Sequence, residues 1–139
     1  MPNSHTTDTA YQAVLASYHR CEDAGGFFDT FYNIFFGMSP EIAPKFAATD
    51  MEFQKQVLGA SLLWMLRLGR GDLIARHEIE KIGRSHSRAA HDIPPYLYSL
   101  WLDALCQAVE RHDPQITPEL NARWRAIMEE GIDLIVSRY

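Results

Sequence analysis

The chain has 139 residues, 47% of them apolar, which suits one domain that buries roughly 70% of the surface its unfolded chain would expose. A formal net charge of −5 argues against broad nucleic-acid binding, which needs clustered Lys and Arg to displace counterions. The arginine-rich stretch from Arg67 to Arg88 is diluted by Asp72, Glu78 and Glu80 and reads as a solvated helix face.

Residues 1–7 read as a loose polar tail, and residues 8–139 as one domain. A first helix is predicted from about Asp8 to Asp23, with Tyr11, Val14, Leu15 and Tyr18 on one face and Gly25-Gly26 as its stop. A second, over about 27–37, carries Phe27, Phe28, Phe31, Tyr32, Phe35 and Phe36 and is apolar on most sides, as buried helices are. Ser39-Pro40-Glu41 predicts a short helix ending near Phe46, with serine as cap and proline as first residue. Thr49-Asp50-Met51-Glu52 has capping-box form with threonine at the cap. The helix it opens runs to about Leu68, with Gln54, Leu58, Leu62, Met65 and Leu66 along one stripe.

After Gly69-Arg70-Gly71, a helix over about 73–88 aligns Ile79, Ile82 and His86. A loop with His91 and Pro94-Pro95 follows, since the residue before a proline avoids helical geometry. A long helix over 96–111 carries Tyr98, Trp101, Leu102, Leu105 and Val109 on one stripe. Thr117-Pro118-Glu119 opens the last helix, through Leu120, Trp124, Ile127, Leu134 and Ile135 to the end of the chain. About seven helices with short connections predict an all-α domain.

Cys21 and Cys106 are far apart and form no C-x-x-C pair, so neither a disulfide framework nor a structural zinc site is expected. No apolar run approaches the roughly 20 residues that cross a bilayer. The polar start, MPNSHTTDTA, lacks a basic region followed by an apolar one, so the expected location is cytoplasmic.

His86 ends an otherwise apolar stripe. A lone histidine there is either a core residue with a satisfied ring or a ligand. Ser85 before it offers an acceptor for the second ring nitrogen, which would fix the tautomer of a metal-bound imidazole. Gly83, one turn back, leaves room for something flat, and no neighbour supplies a second ligand at zinc-like spacing. A single protein ligand suits haem, whose porphyrin supplies the other four. Gln54 reads either as a first-turn glutamine in water or as a donor aimed into a pocket. Tyr32 reads either as a core tyrosine bonded to a backbone carbonyl or as a second such donor.

In order, these residues resemble a known family. The stretch FYNIFFGMSPEIAPKFAATDMEFQKQVL, Phe31 to Leu58, is similar to bacterial single-domain haemoglobins and to the globin domain of flavohaemoglobins. In that family a Phe-Tyr pair opens the distal wall, Pro-Glu follows, a phenylalanine packs on the haem, and a distal Gln precedes a Leu. Here these are Phe31-Tyr32, Pro40-Glu41, Phe46, Gln54 and Leu58. The block IEKIGRSHSR resembles the proximal helix, and the last two helices resemble the family's last two.

The resemblance implies a globin fold around haem b (iron protoporphyrin IX). His86 would be the axial metal ligand, Ile82 would lie beneath the porphyrin, and Ser85 would partner the ring. Phe46 would stack on the haem, and Tyr32, Gln54 and Leu58 would form the distal side. Tyr98 or Tyr96 would face the proximal pocket, Tyr98 being preferred because it shares a stripe with Trp101. His91, Arg84 or Arg88 would meet the propionates. The implied function is reversible binding of oxygen, NO or CO by a carrier, scavenger or sensor, as monomer or homodimer. NO dioxygenase or peroxidase chemistry served by a separate reductase is the alternative, and a haem-free interaction module is the third. Flavohaemoglobins carry a Glu near the end of the last helix that completes a His-Tyr-Glu network. The matching position here is about Tyr139, which argues against efficient NO dioxygenation.

Overall fold

A computed structural model describes residues 4–139. These residues form six α-helices and one 3-10 turn. They are α1 (Ser4–Ala24), α2 (Phe27–Met38), the 3-10 turn (Ala43–Phe46), α3 (Met51–Gly69), α4 (Leu73–Ser85), α5 (Tyr96–His112) and α6 (Pro118–Val136). The expected all-α class holds. Part of the expected tail, residues 1–3, lies outside the described residues, and α1 starts at Ser4 rather than near Asp8.

Two left-handed glycines, Gly25 and Gly26 at φ 76° and 74°, separate α1 from α2 where a side chain would strain the backbone. The short helix expected from Ser39-Pro40 is instead a turn followed by the 3-10 segment Ala43–Phe46, with Pro44 inside it. Proline cannot donate a backbone hydrogen bond, and single tight turns suit such short pieces. The cap of α3 is Asp50 and not Thr49: the Asp50 carboxylate accepts from the N–H groups of Glu52 and Phe53. Glu52 makes no capping box. It pairs with Lys55, which also reaches Asp29 on α2.

α4 stops at Ser85, three residues before the expected end, and His86 is its C-cap. The following loop folds back and satisfies the final carbonyls, with the N–H groups of His91 and Ile93 donating to Ser85 and His86.

α2 packs chiefly on α5 and α3 chiefly on α6, while α4 lies against both α3 and α6. The core holds Val14, Tyr18, Phe27, Phe31, Leu62, Leu66, Ile79, Leu105, Trp124 and Met128, each almost wholly buried. Among the described residues no helix is long and apolar enough to cross a membrane.

Candidate functional site

The space left between these layers is a cavity of about 770 Å³. That volume lies within the range of small-molecule and cofactor sites, roughly 300–1,000 Å³. All eight residues singled out in the sequence border it: Tyr32, Phe46, Gln54, Leu58, Ile82, Ser85, His86 and Tyr98.

α2 and the 3-10 turn build one part of the wall. Tyr32 is 5% exposed. Phe46 is wedged among three α2 rings, with centroids 5.8 Å from Tyr32, 6.5 Å from Phe35 and 5.3 Å from Phe36. These contacts fix the phenylalanine that leads the chain out of the 3-10 turn.

α3 supplies Gln54 from its first turn, and the Gln54 amide donates to the Tyr32 hydroxyl at 3.1 Å. Burial raises the Tyr32 pKa, against the lowering effect of that hydrogen bond and of the Lys55 charge. The phenol is therefore neutral. Its oxygen accepts from Gln54, and its own proton remains to be given.

The end of α4 and the first turn of α5 supply the other polar pair. His86 Nδ1 lies 3.1 Å from the Tyr98 hydroxyl, with the rings nearly parallel at 22°. This bond leaves Nε2 as the nitrogen open to a ligand. Burial, with the charge of His91 second, lowers the His86 pKa, so the ring is neutral and able to bind a metal. Burial and the nearby Tyr139 push the Tyr98 hydroxyl up to about 12.

Two sequence expectations change here. The ring partner of His86 is Tyr98 and not Ser85, which borders the cavity but is exposed and gives its backbone oxygen to His91. Gly83 does not make room for a cofactor. A Cβ there would meet Arg138 Cγ at 2.9 Å and Ile135 O at 3.2 Å, so Gly83 admits the end of α6. Of the two tyrosines, Tyr98 borders the cavity, whereas Tyr96 is 51% exposed.

The rim differs from the sequence reading as well. His91 borders the cavity, whereas Arg84 and Arg88 do not. Lys45 and Lys81 do, and neither was singled out. Trp64 and Ser61 were also missed. Positions 54, 58, 61 and 65 share the cavity-facing line of α3, but polar Ser61 hides that line and apolar Leu62 and Leu66 point the sequence stripe at the core.

No family model matches the chain, and no curated relative does. A crystal structure of a protein from Pseudomonas aeruginosa PAO1, described as structurally highly homologous to a human haemoglobin, does match it. The TM-score is 0.90, with 45% identity over 94% of this chain and 98% of that chain. The chain belongs to the globin family. Within the globin, α2 to α6 and the 3-10 turn line the cavity, which is bordered by His86 and Tyr98 from one part of the sequence and by Tyr32 and Gln54 from another.

Proposed function

We propose that this globin holds haem b through His86 and uses the Tyr32–Gln54 pair to bind a diatomic gas reversibly. One observation carries the reading: a single cavity joins a neutral imidazole with a free Nε2 to a buried hydroxyl with a free proton. The donor set fits the group. Among the described residues no cluster of three or more His, Cys, Asp or Glu side chains could hold a bare metal ion. A lone imidazole suits a metal that brings its other ligands with it.

Bound haem would supply an iron able to take up a diatomic gas. The chain would do the rest. His86 would ligate through Nε2, oriented by Tyr98. Ile82 and Leu58 would pack on the porphyrin faces, and Phe46 would stack against it. Lys45, Lys81 and His91 border the cavity and would partner the carboxylates of the porphyrin. Ser85, at the cavity edge, would contact the group without ligating it. Tyr32 would donate to the gas, and a preorganised donor in a water-poor site stabilises negative charge strongly.

The Tyr-Gln arrangement is what a flavohaemoglobin-like distal side would have. The proximal side favours a carrier, scavenger or sensor over an oxidising enzyme. The partner of His86 is a neutral phenol, which accepts a proton less strongly than a carboxylate and leaves the imidazole less electron-donating. Dioxygenation of NO driven by a separate reductase is then expected to be slow.

The test is the visible spectrum of the purified, haem-reconstituted protein. The wild type is expected to show a Soret band from bound haem, and His86→Gly to lose the ligated form and regain it when free imidazole is added. An unchanged ferrous spectrum in His86→Gly would overturn the assignment.

A further inference from the structure

The loop that follows His86 is held from outside the cavity. Asp92 has φ 50° and is the non-glycine residue with positive φ among the described residues. Such a conformation costs free energy and persists where the surroundings fix it. The surroundings here are Tyr139. Its hydroxyl donates to Asp92 Oδ1 at 2.5 Å, while the Arg88 guanidinium lies 4.8 Å over its ring. The backbone N–H of Arg88 reaches the Tyr139 oxygen at 3.4 Å. Tyr139 is carried there by the end of α6, which Gly83 and the 2.6 Å Arg138–Glu80 contact seat against α4.

The contacts then lead to the site. Asp92 N–H donates to Ser87 O at 2.8 Å, and the next residue, Ile93, donates to His86 O at 3.0 Å. Both bonds brace the turn on which the imidazole stands, and Ile93 itself borders the cavity.

We propose that Tyr139 is a positioning residue for His86, holding the loop 86–93 through Asp92 and Arg88 so that the imidazole is presented to the cavity in one orientation. The role rests on the haem reading above for its consequence, and on the loop geometry alone for its existence. It also gives the Tyr139 position a function. Its hydroxyl braces the loop through the bond to Asp92.

The variants are Tyr139→Phe, which keeps the ring under Arg88 and deletes one hydroxyl, Asp92→Gly, which keeps the backbone shape and deletes the acceptor, and Asp92→Asn, which keeps both. In the haem-free chain, the His86 side-chain NMR signals are expected to broaden or split in the first two and to match wild type in the third. In the haem-loaded ferrous protein, the iron–histidine stretching band is expected to shift and broaden in the same two. Haem loss to a scavenging apoprotein should be about three- to tenfold faster in them, the effect of losing one modest hydrogen bond.

A latch that is structural only would lower the melting temperature and leave the His86 signals and the band unmoved, which would overturn the proposal. Asp92→Asn behaving like Asp92→Gly would also overturn it, since the acceptor would then be irrelevant. Failure of the wild type to take up haem would overturn the haem reading instead. The His86 signals of the haem-free chain would still decide the role of Tyr139.

Discussion

Tyr32 and Gln54 stand in series. The sequence offered them as two donors side by side, but the amide of Gln54 gives one of its two N–H groups to the tyrosine oxygen. On the proposed reading the Tyr32 hydroxyl would donate to the ligand, and Gln54 would aim and polarise it. Loss of a hydrogen bond to a charged acceptor costs roughly 1.5–3 kcal/mol, so Tyr32→Phe is expected to speed oxygen release on the order of 10- to 100-fold. Carbon monoxide carries little charge on its outer atom, and its release should change far less. Gln54→Leu should speed oxygen release by a smaller factor. Combined with Tyr32→Phe it should add almost nothing, because the two act on one contact. Stopped-flow displacement on the three variants measures this, and equal, additive effects would restore the parallel arrangement. Residue types were legible in the sequence, because a tyrosine and a glutamine at set distances from Phe46 and Leu58 carry chemistry wherever a cavity exists. The direction of the bond between them was not, because it depends on how α2 and α3 pack.

The entry to α3 separates two caps that look alike in the sequence. Asp50 Oδ1 accepts at 3.1 Å from Glu52 N–H and at 3.3 Å from Phe53 N–H, whereas Thr49 precedes the cap. Asp50→Ala is expected to cost about 1 kcal/mol of stability. Thr49→Ala should leave the melting temperature almost unchanged, and calorimetry of both variants checks the pair. The reverse order would return the cap to Thr49. Helix existence was legible almost everywhere, because apolar residues recur with helical spacing and Gly25-Gly26, Gly69–Gly71 and Pro94-Pro95 punctuate them. Ends were less legible where long-range or loop contacts decide them. α4 stops at Ser85 because the loop turns back onto its last carbonyls, and nothing local in RSHSR announces that. The segment from Pro40 to Phe46 kept its place but not its form. Pro44 lies inside a single 3-10 turn there, and Phe46 at its end packs on the rings of Tyr32, Phe35 and Phe36.

The whole molecule is pinned by a polar network whose side chains do not border the cavity. Asp113, 1% exposed at the end of α5, accepts from Arg20 Nε at 2.7 Å and Nη2 at 2.9 Å, and from Ser17 Oγ at 2.5 Å. Ser17, wholly buried, accepts in turn from Trp124 Nε1 at 2.9 Å. Four side chains thereby join α1, the turn after α5 and the centre of α6. Partners 93 to 107 positions apart leave no trace in local sequence patterns, so this network was invisible to periodicity. Burial alone would push the Asp113 carboxyl up. The bonds from Arg20, Ser17 and Gln115 N–H, with the Arg20 charge, outweigh it and hold the pKa below the usual carboxylate value. A carboxyl with a depressed folded pKa stabilises the fold at any pH above its unfolded value, about 3.9, and loses that contribution as the pH falls through the folded value. Asp113→Asn should therefore cost about 3 kcal/mol at pH 7, the low end of the range for breaking a buried ion pair, because Arg20 keeps 25% of its side chain in water. The gap between wild type and variant should stay constant down to about pH 5 and close below it, since protonation then removes from the wild type what the substitution removed from the variant. Ser17→Ala should cost about 1–3 kcal/mol by stranding the indole N–H, and should do so with little dependence on pH above 5. Urea unfolding of the three proteins from pH 7 to pH 3 measures both. A gap between wild type and Asp113→Asn that does not narrow on acidification would mean that the carboxylate charge is not what ties α1 to α6.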